Sequence, residues 1–460
     1  MNMRDQARPV FSGKKVVVVG LGLSGLWTAR WLIERGAIVT VSEIRPEPDV
    51  GSGLCKEVRE MGAFLETGGH KLETLLGAEL IVISPGVPYN LQILDSAREK
   101  GITVTGELEL ASQAIRTPII AVTGTNGKST VTTFLGEMLD NAGIKVFVGG
   151  NIGTPLMAYA AGEGDADYAV VEVSSFQLDT SETFCPFVSI ILNISPDHLD
   201  RYADYDSYTR SKLRIFSNQG QGQYVILNDD DEILNSVKPG GGTAVLRYGQ
   251  KQGKSLRAVI EDKNIKALTK EGRTLYFNLK SFRPPGEHNL ENLLGCVLVG
   301  LILDIEASVI QKTIDEFKGL PDRLEHVGDL EGVSFYNDSK ATNVDAAVRA
   351  VNSFDRPQIL IAGGRHKGAE YNPLVKAARG RVKKAVFIGE AKELLAAAFK
   401  DVLPFFDVKD MKEAVSVAFS IADRGDVVLL APACSSFDMF KDYTDRGKAF
   451  REAVESLSNG

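Results

Sequence analysis

A glycine-rich turn set between a strand and a helix constrains this chain more than any other feature: Gly124-Thr125-Asn126-Gly127-Lys128-Ser129-Thr130. It follows the apolar run Ile119 to Val122 and precedes Val131, Phe134, Leu135, Met138 and Leu139, which recur at helical spacing until Gly143. That pattern predicts strand, loop and helix in succession. Backbone N–H groups in such a loop point at an anion, the helix dipole favours negative charge, Lys128 adds a cation and the Ser129 hydroxyl suits Mg²⁺. The arrangement predicts an ATP site. The general pattern for such loops would put glycine at position 122, where Val122 stands, so this loop is shorter than the common form.

A chain of 460 residues exceeds what one hydrophobic core serves and predicts two or three domains. Its net charge of -8 argues against general binding to nucleic acid or an anionic membrane, which would need a basic surplus. Any phosphate binding is therefore local. Cys55, Cys185, Cys296 and Cys434 lie far apart without C-x-x-C spacing, so neither a disulfide framework nor a zinc site is expected and a reducing cytoplasm fits. The first fifteen residues carry Arg4, Arg8, Lys14 and Lys15 but no long apolar run, unlike a signal peptide. The longest apolar run, Leu293 to Leu303, is too short to span a bilayer and reads as a buried helix.

Near the start, Val16 to Val19 reads as a buried strand ending in Gly20-Leu21-Gly22-Leu23-Ser24-Gly25. A helix closing at Gly36, a second strand from Ala37 to Val41, and then Glu43 follow. This is G-x-G-x-x-G in a βαβ unit with a carboxylate at the dinucleotide distance, and alone it suggests NAD. Glycines and a helix N-terminus hold UDP as readily, so both remain open. A strand from Leu80 to Ile83 ends in Ser84-Pro85-Gly86, and the first domain is expected to end near Gly106.

The middle segment places polar residues at the carboxyl ends of apolar strands. Tyr168 to Val173 carries Glu172 and leads to Ser174-Ser175; Val188 to Asn193 runs into Ser195-Pro196-Asp197-His198. In a parallel sheet those ends line the crevice of the glycine loop. Glu172 is placed to complete a Mg²⁺ shell begun by Ser129, and His198 is a candidate for a second metal or for substrate. Asn228 to Gly242 reads as surface loop, Ala244 to Leu279 as a β-rich excursion, and Asn289 and Asn292 share one helix face. After a boundary at Gly319-Leu320-Pro321-Asp322-Arg323, three strand ends follow: Asn337 to Asn343, Gly363 to Gly368 and Ala431 to Ser436. They offer hydroxyls and lysines to a small anion. The expected fold is α/β with three domains: residues 1–106, Rossmann-like; 107–319, a P-loop ATPase-like domain with a mostly parallel sheet; and 320–460, Rossmann-like again.

Gly124 to Thr130, Glu172-Val173-Ser174-Ser175-Phe176-Gln177, Asp197-His198-Leu199-Asp200-Arg201, His288-Asn289, Asn337-Asp338-Ser339-Lys340-Ala341-Thr342-Asn343 and Pro432-Ala433-Cys434-Ser435-Ser436-Phe437-Asp438 together resemble the Mur ligases of peptidoglycan synthesis, in order and over essentially the whole chain. The short loop is the one that superfamily has. Folylpolyglutamate synthetases share it, but the N-terminal glycine-rich domain and the Asn337 to Asn343 string are Mur-like.

The resemblance implies an ATP-dependent ligase, monomeric and cytoplasmic, that joins UDP-N-acetylmuramoyl-L-alanine to D-glutamate with two Mg²⁺ ions. It implies UDP-substrate contacts at Gly22, Leu23, Ser24, Arg45, Gly86, Asn151 and Ser174. It implies ATP contacts at Gly124, Thr125, Asn126, Gly127, Lys128, Ser129, Thr130, Asn289, Asn292, Arg323 and Asp338. Metal ligation falls to Ser129, Glu172, His198 and a carbamylated Lys212, a residue that the sequence by itself reads as an exposed helix lysine. The D-glutamate pocket falls to Lys340, Thr342, Lys367, Ser436, Phe437 and Tyr443. Lys128, His198, Lys212 and Arg323 are the expected catalytic groups, and residues from about Leu320 onward are expected to close as a lid. Ile44 stands at the uracil site where many members carry a polar residue. Two other classes remain open: an NAD-dependent dehydrogenase using Gly20 to Gly25, and a regulatory nucleotide-binding protein without ligase activity.

Overall fold

Parallel pairing dominates because the valine and isoleucine runs are buried on both faces. The computed structural model describes residues 11–162, 164–198, 201–250 and 256–458. Strands β1 (Lys15–Val19), β2 (Ile38–Glu43), β3 (Phe64–Thr67), β4 (Leu80–Ile83) and β5 (Thr103–Gly106) form a parallel sheet in the order β3-β2-β1-β4-β5. A second sheet contains β6 (Ile119–Thr123), β7 (Val146–Gly150), β8 (Tyr168–Glu172), β9 (Val188–Ile191), β10 (Tyr224–Asn228), β11 (Ala244–Gly249), β12 (Leu256–Glu261), β13 (Asn264–Leu268) and β14 (Thr274–Asn278). Its order is β14-β13-β12-β11-β10-β9-β6-β8-β7, parallel from β7 through β12 with β13 antiparallel to β12. A third sheet takes β15 (Glu325–Leu330), β16 (Val333–Asn337), β17 (Gln358–Gly363), β18 (Val382–Ile388), β19 (Phe405–Asp407) and β20 (Val427–Leu430) in the order β15-β16-β20-β17-β18-β19, with only β15 against β16 antiparallel.

The chain divides into two units, Met1–Phe277 with Leu294–Thr313, and Asn278–Leu293 with Ile314–Gly460. In the first, one core runs from Val16, Val18, Trp31 and Leu32 through Leu108 and Leu156 to Ala121 and Val171, so the first two sheets share buried surface. In the second, Leu360, Phe387 and Leu429 pack one face of the third sheet, and Ile359, Val386 and Phe450 the other.

Most elements fall where the apolar runs predict, with informative departures. β2 extends to Glu43, which ends the strand instead of following it. Asn228–Gly242 is not a plain loop. Asp231 caps the helix Glu232–Ser236 by accepting from Ile233 N and Leu234 N, and buried Asn228 donates to Leu192 O at 3.1 Å. The expected β excursion is present as β11 to β14, with Phe277 buried and Tyr276 exposed as alternation requires; residues 251–255 lie outside those described. The apolar run after Leu293 lies in the helix Glu287–Ile302.

Two carboxylates enter the first unit's interior on the helix Glu107–Ala114. Glu109 is satisfied by the backbone N–H groups of Glu182, Thr183 and Phe184 and by Gln113 Nε2. Glu107, 2% exposed, accepts from Met157 N at 2.7 Å, while its Oε2 has no hydrogen-bond partner. Burial pushes its carboxyl up to about 7, against the opposing pull of the Met157 N–H and Gln177. Because the folded-state value is raised, the group favours folding when protonated, and that advantage is lost as pH rises from about 4.5 to about 7. The full shift corresponds to on the order of 3 kcal/mol. Glu107→Gln is therefore expected to melt with wild type near pH 5 and several degrees above it at pH 8. A melting-temperature difference that does not change with pH would contradict this assignment.

Candidate active site

The glycine loop follows β6, which lies inside the second sheet between β9 and β8. Gly124 has φ 153° and a Cβ there would sit 3.1 Å from Leu192 Cβ, while Gly127 has φ 88° at the N-cap of the helix Lys128–Asn141. Both conformations favour glycine. Asn193, just beyond β9, fixes the loop: its Oδ1 accepts from Asn126 N at 2.9 Å and its Nδ2 donates to Asn126 O at 3.1 Å. Thr125 N donates to Asn193 O at 2.9 Å, and the Thr125 hydroxyl lies 3.1 Å from both Ser195 O and Tyr208 Oη. Lys128 Nζ folds back onto Gly124 O and Thr125 O at 2.9 and 2.8 Å.

At the mouth of that loop, Ser129 Oγ donates to Glu172 Oε2 at 2.6 Å, and Asn151 Nδ2 donates to Glu172 Oε1 at 2.8 Å. Two hard oxygens, one from the first turn of the helix Lys128–Asn141 and one from the end of β8, suit Mg²⁺, which prefers oxygen, keeps several waters and takes substrate phosphates as further ligands. Among the described residues no group of three His, Cys, Asp or Glu side chains forms a self-sufficient metal cage. His198 adopts φ 55°, its ring meets Phe176 edge-on at 4.9 Å, and its Nε2 lies 3.8 Å from Asp197 Oδ2. Leu199 and Asp200 of the same motif lie outside the described residues.

Lys212 corrects the reading of an exposed lysine. It is 2% exposed, donates to Gly124 O at 2.8 Å and lies 4.7 Å from the Tyr208 ring centre. The helix Tyr205–Leu213 turns Tyr208, Ser211 and Lys212 inward together. Burial, then the neighbouring Lys128 charge, holds the Lys212 amine well below its usual value, opposed by Asp197, Glu172 and Asp179. Two amines on one carbonyl oxygen favour a neutral one between them.

The first sheet reverses its order at β1, and its glycine turn stands at that switch point. A Cβ on Gly25 would sit 2.1 Å from Gly20 O, so helix and turn can approach this closely only without a side chain. Glu43 is not offered to a ribose. It is 4% exposed and accepts from Leu21 N at 2.7 Å and from Arg45 N and Nε at 2.9 Å. Burial alone would raise its carboxyl, but the Arg45 and Leu21 hydrogen bonds outweigh that and hold it at about 2. Leu23 and Ile44 are exposed on this rim. Gly86 O accepts from Arg201 at 3.3 Å, and Ser174 caps the helix Ser175–Asp179 in a reciprocal box with Gln177.

In the second unit, Asn289 Nδ2 donates to Pro285 O at 2.6 Å, and Asn292 is buried on the same helix. Asp338 Oδ1 accepts from Leu324 N at 3.3 Å; burial pushes its carboxyl up to about 7 while Arg323 and the Leu324 N–H pull down. Lys340 Nζ stands 3.6 Å over the Tyr443 ring, and Thr342 N donates to Lys340 O at 2.7 Å. Arg365 and Ser435 form an antiparallel bridge that joins the loop carrying exposed Lys367 to the one carrying buried Ser436 and exposed Phe437. Arg446, which the sequence reading does not name, is 1% exposed and donates to Ser339 Oγ, Ser339 O and Cys434 O. Asn193 and Tyr208 were passed over too; Asn193's strand-end position was the available signal.

Comparison with known proteins bears on all of these segments. The family model described as a Mur ligase MurD-like N-terminal domain matches residues 14–106, the Mur ligase middle domain residues 122–300, and the Mur ligase glutamate ligase domain residues 322–434. A protein of Desulfosudis oleivorans named UDP-N-acetylmuramoylalanine–D-glutamate ligase is 45% identical over 97% of both chains. One of the same name from Pelotomaculum thermopropionicum is 41% identical over 98% of this chain and 99% of its own. Among solved structures, a pseudomurein peptide ligase type C from Methanothermus fervidus aligns with TM-score 0.61 at 21% identity, covering 97% of this chain and all of that one. MurF ligase of Thermotoga maritima in complex with ADP aligns with TM-score 0.61 at 15% identity over 91% and 96%. At those identities the likeness concerns the fold.

The Asn193 bracket gives the loop a testable dependence. Removing a side chain that satisfies both a backbone N–H and a carbonyl costs about 1–3 kcal/mol, so Asn193→Ala is expected to weaken ADP binding about tenfold in an equilibrium titration. Asn193→Asp, which keeps only the acceptor, should fall between. Unchanged affinity in Asn193→Ala would show that the loop holds its shape without it.

Proposed function

We infer the reaction from the premise that this chain belongs to the Mur ligase family: it is an ATP-dependent ligase that forms the amide bond between UDP-N-acetylmuramoyl-L-alanine and D-glutamate in peptidoglycan precursor synthesis. ATP and Mg²⁺ serve it, as they serve that family. The observation that carries the reading is the buried Ser129–Glu172 oxygen pair beside Lys128 at the mouth of the loop. Such a site transfers a phosphoryl group; a dehydrogenase has no use for it, and Glu43 is turned away from any ribose.

The residue roles follow from position. Loop N–H groups and the helix N-terminus at Lys128 hold the ATP phosphates, and Lys128 exchanges its loop carbonyls for phosphate oxygens. The alanyl carboxylate attacks the γ-phosphorus, ADP leaves, and an acyl phosphate forms. The D-glutamate amine then adds to the acyl carbon, and the tetrahedral intermediate expels phosphate to leave the amide. Negative charge builds at each step, so the chain contributes positioning and electrostatic stabilisation by Lys128 and Arg323. Magnesium bound at Ser129 and Glu172 supplies charge neutralisation for the phosphate oxygens.

Gly22, Leu23, Ser24 and Arg45 are assigned to the UDP moiety, and Gly86, Asn151 and Ser174 to the muramoyl side. Asn289, Asn292 and Asp338 are assigned to ATP; Lys340, Thr342, Lys367, Ser436, Phe437 and Tyr443 to D-glutamate. Among the described residues no helix is long and apolar enough to cross a membrane. We propose a cytoplasmic monomer. A second magnesium is proposed at His198 and a carbamate on Lys212. Burial beside Lys128 favours the free amine at Lys212. That amine can add to carbon dioxide, forming an N–C bond and releasing a proton, and so turn a buried neutral amine into an anion.

Phosphate release is expected only with ATP, magnesium, the UDP substrate and amino acid together, with D-glutamate preferred at least about tenfold over L-glutamate, L-alanine and diaminopimelate. Release that ignores the amino acid would sink the ligase reading. Lys212→Ala is expected to lower kcat at least about a hundredfold. It should also remove the carbamate carbonyl resonance that wild-type protein shows in ¹³C-bicarbonate. Full activity with no such resonance in wild type would dispose of the carbamate.

A further inference from the structure

Arg323 sits between two residues in the left-handed region, Asp322 at φ 60° and Leu324 at φ 44°. Neither is glycine, and a non-glycine residue persists there only when its surroundings over-determine it. The restraints on Asp322 are numerous. Its N–H donates to Glu325 Oε2 at 2.9 Å, its carbonyl accepts from Lys340 N at 3.0 Å, and its Oδ1 accepts from Asn337 Nδ2 and from Arg451 Nη1, both at 2.8 Å. Arg451 Nη1 also reaches Glu325 Oε2 at 2.7 Å, and Asn337 Nδ2 reaches the same oxygen at 3.0 Å. One guanidinium thus ties the residue before Arg323 to the first residue of β15. On the other side, Leu324 N is held by Asp338 Oδ1.

The helix Tyr443–Ser458 is shaped for this clamp. Gly447 lies one turn before Arg451, and a Cβ there would sit 1.7 Å from Asp322 Oδ1. The helix face that carries Arg451 is therefore cleared to admit the Asp322 carboxylate. Asp322 is 3% exposed and Asn337 fully buried, whereas the Arg451 side chain is 29% exposed, so Arg451 is the member that can be altered without opening the core.

We propose that Arg451 is a positioning residue for Arg323: with Asp322, Glu325 and Asn337 it clamps the strained turn from which the Arg323 side chain projects. The proposal rests on the role given to Arg323 above and goes beyond it, since Arg451 spends its hydrogen bonds on Asp322 and Glu325. It acts by holding a backbone conformation that the chain would otherwise relax.

The test is a double-mutant cycle on kcat in the full-length protein, with melting temperature and active-site titration recorded for each variant. Arg323→Ala is expected to lower kcat, Arg451→Met to lower it about 10- to 100-fold, and the double variant to be within about twofold of Arg323→Ala alone. Arg451→Lys should recover part of the loss. Multiplying losses in the double variant, or a kcat loss that tracks only the folded fraction, would mean that Arg451 merely stabilises the unit and would overturn the proposal while leaving the role of Arg323 intact. A normal kcat in Arg323→Ala would overturn both. If Arg451→Met does not fold, Glu325→Gln, which weakens the same clamp at its rim, replaces it in the cycle.

Discussion

The carbonyl oxygen of Gly124 accepts from both half-buried Lys128 and buried Lys212, and the crowding of two amines onto one acceptor is the constraint on which the first unit depends. Placing two full positive charges a few ångströms apart away from water is unfavourable by several kcal/mol even at an effective dielectric near 20. Three adjustments are visible. Lys212 is held toward its neutral form, Asp197, Glu172 and Asp179 lie close enough to favour its charge, and Tyr208 offers both its ring to Lys212 and its hydroxyl to Thr125.

The second unit meets a different demand, that of holding backbone in costly conformations, and meets it with one helix. Tyr443, Arg446, Gly447 and Arg451 recur at spacings of three and four on the face of the helix Tyr443–Ser458 turned to the third sheet. Arg446 binds the Ser339 segment to the Cys434 segment, Arg451 binds Asp322 to Glu325, and Tyr443 backs Lys340. Left-handed Ala433, at φ 57° just before Cys434, belongs to the same crowded region. Burying charge on a helix that packs a core is unfavourable unless each donor is taken, and here Arg446 and Arg451 donate to backbone carbonyls, a hydroxyl and carboxylates.

What could be read from the residues divides along a physical line. The glycine loop, the strand end at Glu172 and the rim at Gly20 to Gly25 were legible because they break an apolar run with a residue type that has a backbone reason to be there. Lys212, Arg446 and Arg451 were not, because pattern reading seeks apolar stripes and these helices bury polar ones; Tyr208, Ser211 and Lys212 recur at helical spacing as any buried stripe does. The segment from Asn228 to Gly242 misled for the opposite reason. Its Asp and Asn residues are turn formers, yet Asp231 spends its carboxylate capping a helix that composition alone hides.

An acidic chain that handles polyanionic substrates must confine its positive field. With a net charge of -8, the chain's long-range field would repel a nucleotide, and over distances beyond about 8–10 Å in physiological salt that repulsion is screened. What then decides binding is local, and in the first unit both amines, half-buried Lys128 and buried Lys212, are held on the backbone carbonyl of Gly124. Donors fixed before the ligand arrives need little reorganisation when charge develops on the transferring group. The same economy explains the neutral groups beside the loop: Asn126, Asn151 and Asn193 fix geometry through hydrogen bonds without adding a charge that substrate would have to overcome.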